Sequence, residues 1–323
     1  MLEQMAGGNQ LFKATLLFNM NPGSRMMPGL SFLTALACVA GCAPSQLAEP
    51  RIEGKPLGVR LQELISSEET LRRQSAEVLR RAAAQVVPHL LQMCQAPEKS
   101  SQSTNAPSNN TGAATPDAAV LIKRRSQALN AFRAMGPAAA DAVPKLAEML
   151  RQPSNSSIAS SCLAAIGGQG VEPLIDVLAG SDRKLAANAQ AALDSLGPPT
   201  QNTVPILIAH VSHTNTVARS AVIRALGRIR QEPVRVVPVL VTKLEDSELD
   251  VQISAAYALG SFGPAAAAGL DKLLPLATKA KEQGLREMAG GAVWQIEPAA
   301  AKKAGLSESL IKAMTYTGPM TPP

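Results

Sequence analysis

The sequence predicts an all-α fold, a right-handed α-solenoid of about six helix pairs. Three observations carry this. The 323 residues are 46% hydrophobic, yet they include 54 alanines and only 5 Phe, 2 Tyr and 1 Trp. A core so poor in rings packs from Ala, Leu, Val and Ile. Ala and Leu favour helix, whereas sandwiches and barrels draw on aromatic and β-branched strands. Charged residues are only 17%, which excludes a disordered, highly charged chain. Finally, a phrase in two halves recurs: Ala-Leu-x-x-Ile-Gly, then Val-Pro-x-Leu about eight residues later.

Residues 1–41 read as a leader outside the fold. Arg25 precedes an apolar run of eleven residues, Leu30 to Ala40. That run falls short of the about twenty residues of a spanning helix and suits the apolar region of a secretory signal. It ends in Val39-Ala40-Gly41-Cys42, which resembles the bacterial lipobox. The resemblance implies a diacylated Cys42 that becomes the new N-terminus after cleavage. Two acyl chains anchor a protein stably, at about 0.8 kcal/mol per buried methylene. Ala43, in place of Asp, implies outer-membrane sorting in a Gram-negative cell. Residues 1–19, with Glu3 and a second apolar patch, suit a mis-set start, with translation from Met20, Met26 or Met27. Residues 42–56 are expected to be a lipidated tether.

The solenoid is expected over 57–316. Its clearest copies are 128–150, 192–211 and 225–244; a fourth, 258–276, carries Asp271 in place of Pro, and 162–178 is two residues short between its helices. The weakest is 76–91. The signature position falls at 88, 144, 173, 205, 238 and 271, at intervals of 56, 29, 32, 33 and 33. Ala221, Ala225, Leu226 and Ile229 make the buried stripe of a first helix. Gly or Gly-Pro then ends it, since Gly tolerates a left-handed cap and Pro cannot continue the helix. Asp141 and Asn202, three residues before Pro144 and Pro205, are expected N-caps, with Pro in the first turn. Leu146/Leu150, Leu207/Val211 and Leu240/Leu244 face the core from second helices. Gly284 to Glu297, followed by Pro298, aligns as a final first helix. The long first interval holds a polar insertion, 97–117, expected to be flexible. Residues 317–323 are expected to be a loose tail.

These residues resemble the HEAT repeat family, and more closely its short bacterial form in phycobilisome lyase-type proteins. Asp246-Ser247-Glu248-Leu249-Asp250-Val251, followed by Ser254-Ala255-Ala256, carries the likeness, with Gln252 where Arg is usual. The resemblance covers about 57–314. It implies second helices on the concave side, where partners bind. The position after each signature residue reads His89, Lys145, Leu174, Ile206, Val239 and Lys272. If exposed, this row is a strip suited to a partner; if half-buried, it is core.

Chemistry is sparse. Gly167-Gly168-Gln169-Gly170 follows no strand and reads as a shortened repeat turn. His210 and His213 share a helix face without a third ligand in register. Cys94 and Cys162 lie in apolar helical patterns and read as buried core thiols. Lys123, Arg124 and Arg125 form one basic cluster; Arg219, Arg224, Arg228, Arg230 and Arg235 form another, with Glu232 the acidic residue among them. A basic groove suits nucleic acid, but export and scarce aromatics argue against base stacking.

The expectation is therefore a non-enzymatic protein-interaction scaffold. It has no catalytic residue, cofactor or metal, and it is lipid-anchored through Cys42 at the bacterial cell envelope. Its partner is a protein, not nucleic acid or a small-molecule substrate. The alternatives are a HEAT-like lyase or chromophore-handling enzyme, and a nucleic-acid-binding HEAT-like protein.

Overall fold

The computed structural model describes residues 49–96, 116–196 and 203–310, all within one compact unit, Leu47–Pro323. The leader, Cys42, Asn202, most of the insertion and the tail lie outside the described residues.

Where a tether was expected, the described chain opens with a small antiparallel hairpin. Arg51 pairs with Pro56 and Ile52 with Lys55. Ile52 is buried in the core, and the Leu57 amide donates to Pro50 O at 3.0 Å. An apolar β-branched residue in a two-residue strand is too short a signal to read from sequence alone. A short helix α1 (Leu57–Glu63) follows.

Seven helix pairs come next, one more than expected. They are α2 (Glu69–Arg81) with α3 (Ala83–Cys94), α4 (Pro116–Met135) with α5 (Val143–Leu150), and α6 (Ser156–Ile166) with α7 (Val171–Leu178). Then come α8 (Arg183–Asp194) with α9 (Thr203–His210), α10 (Thr216–Ile229) with α11 (Pro233–Lys243), and α12 (Leu249–Phe262) with α13 (Leu270–Lys279). The last pair, α14 (Gln283–Ile296) with α15 (Pro298–Lys303), is completed by a six-residue helix that Pro298 opens. Its shortness hides it from a search for full repeats. Helix α4 begins at Pro116, so the insertion ends before 116 instead of at 117; Pro at the first turn and Asp117 beside it are ordinary helix starters.

The fold is an all-α solenoid. First helices stack in series, α4 on α6, α6 on α8, α8 on α10, α10 on α12 and α12 on α14. Each second helix from α3 to α13 packs on the first helix of the following pair. Contacts run mainly between neighbours, so stability is close to a sum of pairs and their interfaces. The residue two beyond each signature position is the centre of the core: Leu90, Leu146, Ile175, Leu207, Leu240 and Leu273 are fully buried. Each such side chain contributes about 1.5–3 kcal/mol by leaving water.

The turns within pairs follow the sequence in part. Gly136, Gly167 and Gly263 take positive φ after their first helices, a region that favours glycine. The turns after Met135 and Phe262 are seven-residue 3-10 segments, Gly136–Ala142 and Gly263–Gly269. The short copy has only Gly168–Gly170. Two expectations need correction. Asp141 does not cap α5: its N-cap is Ala142, without a side-chain hydrogen bond. The 3-10 segment runs directly into the helix and supplies backbone acceptors itself. Side-chain caps appear instead on first helices, from Asp182 to the Lys184 and Leu185 amides and from Asn215 to the Ala218 amide. Likewise Pro88 and Pro238 lie inside α3 and α11, which start five residues earlier. Both prolines face solvent, so the carbonyl that each leaves without a helical donor can turn to water.

Helices α10 and α12 approach closely at Gly227. A Cβ there would lie 2.6 Å from Ala258 Cα and 2.8 Å from Ala258 Cβ. Glycine lets the α10 and α12 backbones meet where any side chain would push them apart.

Candidate functional site

The row after the signature positions runs along second helices. A helix turns about 100° per residue, so these positions sit on the rim beside the fully buried row. Lys145 is exposed; His89, Ile206, Val239 and Lys272 are half-buried. Leu174 is fully buried and drops out of any exposed strip. In the shortened repeat both Leu174 and Ile175 are fully buried. The charged members are partnered: Lys145 Nζ reaches Glu148 at 2.6 Å and Lys272 Nζ reaches Glu245 at 2.8 Å. Ile206 and Val239, half-buried, pack against the core, with ion-paired Lys145 and Lys272 on either side of them in the row.

The five-arginine cluster is mostly a set of clasps between repeats. Arg224 and Arg228 both approach Asp194, at 3.4 and 3.6 Å, across the α8–α10 interface. Arg219 meets Asp246 at 3.0 Å, with both side chains about nine-tenths buried. Arg235 pairs with Glu232 at 2.5 Å. Arg230 is exposed, in a left-handed conformation at the end of α10. Counting only Glu232 against this cluster missed acids that lie 27 or 30 residues away in sequence. In the other basic cluster, Lys123 and Arg124 are exposed and Arg125 is turned inward.

A recurring latch explains Arg219 further. Its Nη1 donates to the His213 and Thr214 carbonyls at 2.8 and 3.0 Å. Arg72 does the same to Ser66 and Ser67, and Arg286 to Ala280 and Lys281. Each is the fourth residue of its first helix, and each fastens the loop that leads into it. Gln252, at the same position of α12, reaches only the Asp246 carbonyl, at 2.7 Å. A five-donor guanidinium spans two carbonyls, while one carboxamide nitrogen here serves one. The arginine that the sequence pattern expects after Val is thus a loop latch.

The other candidates resolve as follows. His210 Nδ1 lies 2.9 Å from Ile206 O, and His213 Nδ1 accepts the Asn215 amide at 3.0 Å. Their rings stack at 6.3 Å, so one nitrogen of each ring is already engaged. Among the described residues no group of three His, Cys, Asp or Glu could hold a metal. Gly168 donates to Thr203 Oγ1 at 2.9 Å, joining the glycine-rich turn to the next repeat. Glu63 is the most perturbed acid. Lys55, with help from the Ser75 hydroxyl, lowers its carboxyl to about 2.

The sequence reads Cys94 and Cys162 as buried core thiols, with a disulfide or a reactive thiol as the alternative. The structure brings them together, both buried, with Sγ atoms 3.9 Å apart. Arg125 Nε donates to Cys94 O at 3.0 Å, and its Nη2 to Ser154 O and Asn155 Oδ1 at 3.1 and 2.7 Å. Asn155 Oδ1 also accepts the Ala96 amide at 2.9 Å. The hydrogen bond between the thiols, then burial, raises Cys162 above the ordinary thiol range. Burial pulls the Arg125 guanidinium down.

Among the described residues one stretch, Leu249–Lys279, is long and apolar enough to cross a membrane. It is the α12–α13 pair, with a non-helical Ala266 inside its turn (φ −96°, ψ 18°). Its most apolar window is 61% buried, as a solenoid core should be.

No protein-family model and no curated protein matches the chain. Solved structures do resemble it. An engineered protein is 21% identical, covering 81% of this chain and 74% of its own, with a TM-score of 0.35. Human deoxyhypusine hydroxylase is 17% identical over 75% of this chain and 84% of its own, with a TM-score of 0.30. The complex of CpcE and CpcF of phycocyanin lyase from Nostoc is 18% identical over 86% of this chain and 97% of its own, with a TM-score of 0.29.

Proposed function

We propose that this chain is a lipid-anchored, non-enzymatic scaffold that holds another protein at the bacterial cell envelope. The observation that supports this reading most is the open series of second helices. Each spends one face on the core, and the row beside that face leaves Lys145 exposed and Ile206, Val239 and Lys272 half-buried, interrupted by buried Leu174. A surface of this kind suits an extended protein segment, held by many shallow contacts where aromatic anchors are few. The ion pairs of the arginine cluster favour a protein partner over nucleic acid, since most of those guanidinium groups already have an acid. The anchor reading stands on the Arg25, Leu30–Ala40 and Cys42 sequence alone.

Two experiments test it. Globomycin should block processing, and Cys42→Ala should move the protein from the membrane to the soluble fraction; a wild-type chain that is soluble and unprocessed would overturn the anchor. Ile206→Asp with Val239→Asp should abolish a partner pull-down while the melting temperature changes by only a few degrees. Unchanged pull-down by the folded variant would remove the row from the interface.

A further inference from the structure

We infer that Cys94 and Cys162 form a disulfide that clasps the first helix pair to the third. The two thiols are 68 residues apart in sequence, on α3 and α6, with their sulfurs in contact at 3.9 Å. Closing to the about 2 Å of a disulfide needs a shift of about 2 Å.

The surroundings hold both helices at that spot. Cys94 is the last residue of α3 and Cys162 is in the middle of α6. The Asn155 carboxamide at the start of α6 takes the Ala96 amide just past the end of α3. Arg125 comes from the intervening α4 and ties Cys94 O to Asn155 Oδ1. Helix α3, before the insertion, and helices α4 and α6, after it, are thereby fixed around the pair. The bond would also keep the two sides of the chain joined after a cut anywhere from 97 to 115.

The chemistry is a thiol–disulfide exchange with a small or protein disulfide as oxidant. Cys94 is the thiol that fraying at one helix end uncovers. Its thiolate attacks the oxidant's S–S bond, forming a mixed disulfide and expelling one thiolate. Cys162 then loses its proton, attacks Cys94 Sγ and expels the second. Two S–H bonds and one S–S bond are exchanged for one S–S and two S–H, and both electrons end on the oxidant. Both thiols are fully buried, so the exchange belongs to folding or to transient opening, and the finished bond is shielded from reductant. In the cell the oxidant comes from an oxidising compartment, which rests on the export reading; the pairing itself does not.

The test uses the purified full chain in detergent, denatured and reduced, then refolded in oxidised and reduced glutathione. Peptide mapping should find Cys94 linked to Cys162, two hydrogens lighter than the free peptides. Alkylation under denaturing conditions should spare both residues. The oxidised chain should melt roughly 5–10 °C above the reduced one. Cys94→Ser and Cys162→Ala should each remove that dependence on reductant. Free, alkylated Cys94 and Cys162 after oxidative refolding would overturn the clasp. A chain that closes in vitro but carries both thiols free in cells would keep the clasp and sink the export reading.

Discussion

The two ends of the solenoid are joined differently. From α10 to α14 the first helices meet through small residues. Gly227 lies against Ala258, and Ala289, Gly290, Gly291 and Ala292 are buried in the last first helix. From α3 to α6 the seam is polar, made by Arg125, Asn155 and the two cysteines. Regular repeats bring backbones to one fixed distance, so glycine and alanine suffice. The insertion after α3 breaks the regular interval, and individual hydrogen bonds must fix a spacing that repetition no longer sets. Small-residue packing resists compression and tolerates nothing larger. A hydrogen-bonded seam is sensitive to the loss of any one partner.

The largest expected effect sharpens this contrast. Gly227→Val should cost about 3 kcal/mol, read as a drop in urea midpoint with an unchanged slope. Ala258→Gly in the same chain should recover part of that loss, because part of the clash is with the Ala258 Cβ. A near-neutral Gly227→Val would mean the two helices can separate freely.

Asn155→Ala should cost somewhat less, about 2 kcal/mol, by stranding the Ala96 amide and one Arg125 donor. Its signature is local. Hydrogen exchange should quicken in α3 and α6 and stay unchanged in α12 and α14. Uniform loss of protection along the chain would remove the distinction between the two seams.

Acid should act first at the N-terminal end. The folded Glu63 carboxyl lies at about 2, against 4.5 ordinarily, held down first by Lys55 and then by Ser75. A depressed acid stabilises the fold fully above its unfolded value, and that contribution fades as pH falls from about 4.5 through about 2. In Glu63→Gln, melting should be lower at neutral pH and should fall less steeply across this window. An identical acid profile in the two proteins would show that the Lys55–Glu63 pair contributes nothing.

The smallest effect concerns the α10–α11 turn, where a left-handed Arg230 and not a glycine ends the first helix. Arg230 and Glu232 both take left-handed φ of 50°. Arg230→Gly should stabilise by about 0.5 kcal/mol, since the left-handed conformation strains residues with a Cβ. A fall in melting temperature would show that the exposed guanidinium does something the fold requires.

Local rules made most of the architecture readable. The glycines at 136, 167 and 263 end their helices as the pattern implies, and the copy expected to be short has a shorter turn, Gly168–Gly170, than the segments Gly136–Ala142 and Gly263–Gly269. What escaped was nonlocal. Asp194 and Asp246 neutralise arginines a whole repeat away, so a window around Arg219–Arg235 could not find them. The Cys94–Cys162 contact joins residues 68 apart in sequence, on either side of the insertion. The arginine latch left a trace in the sequence, as Arg72, Arg219 and Arg286 share one register, but its target is backbone carbonyls, which no residue name reveals. Leu174 looked equivalent to Ile206 because the pattern aligns them, but it is fully buried beside Ile175.

The scaffold reading is tested most directly by photo-crosslinking in native membranes. A photoreactive residue replaces Lys145, Val239 or Lys272 on second helices, or exposed Val217 on first helix α10. The account predicts one dominant protein adduct from the second-helix positions and none from Val217. Equal labelling from all four positions, or adducts from Val217 alone, would contradict it.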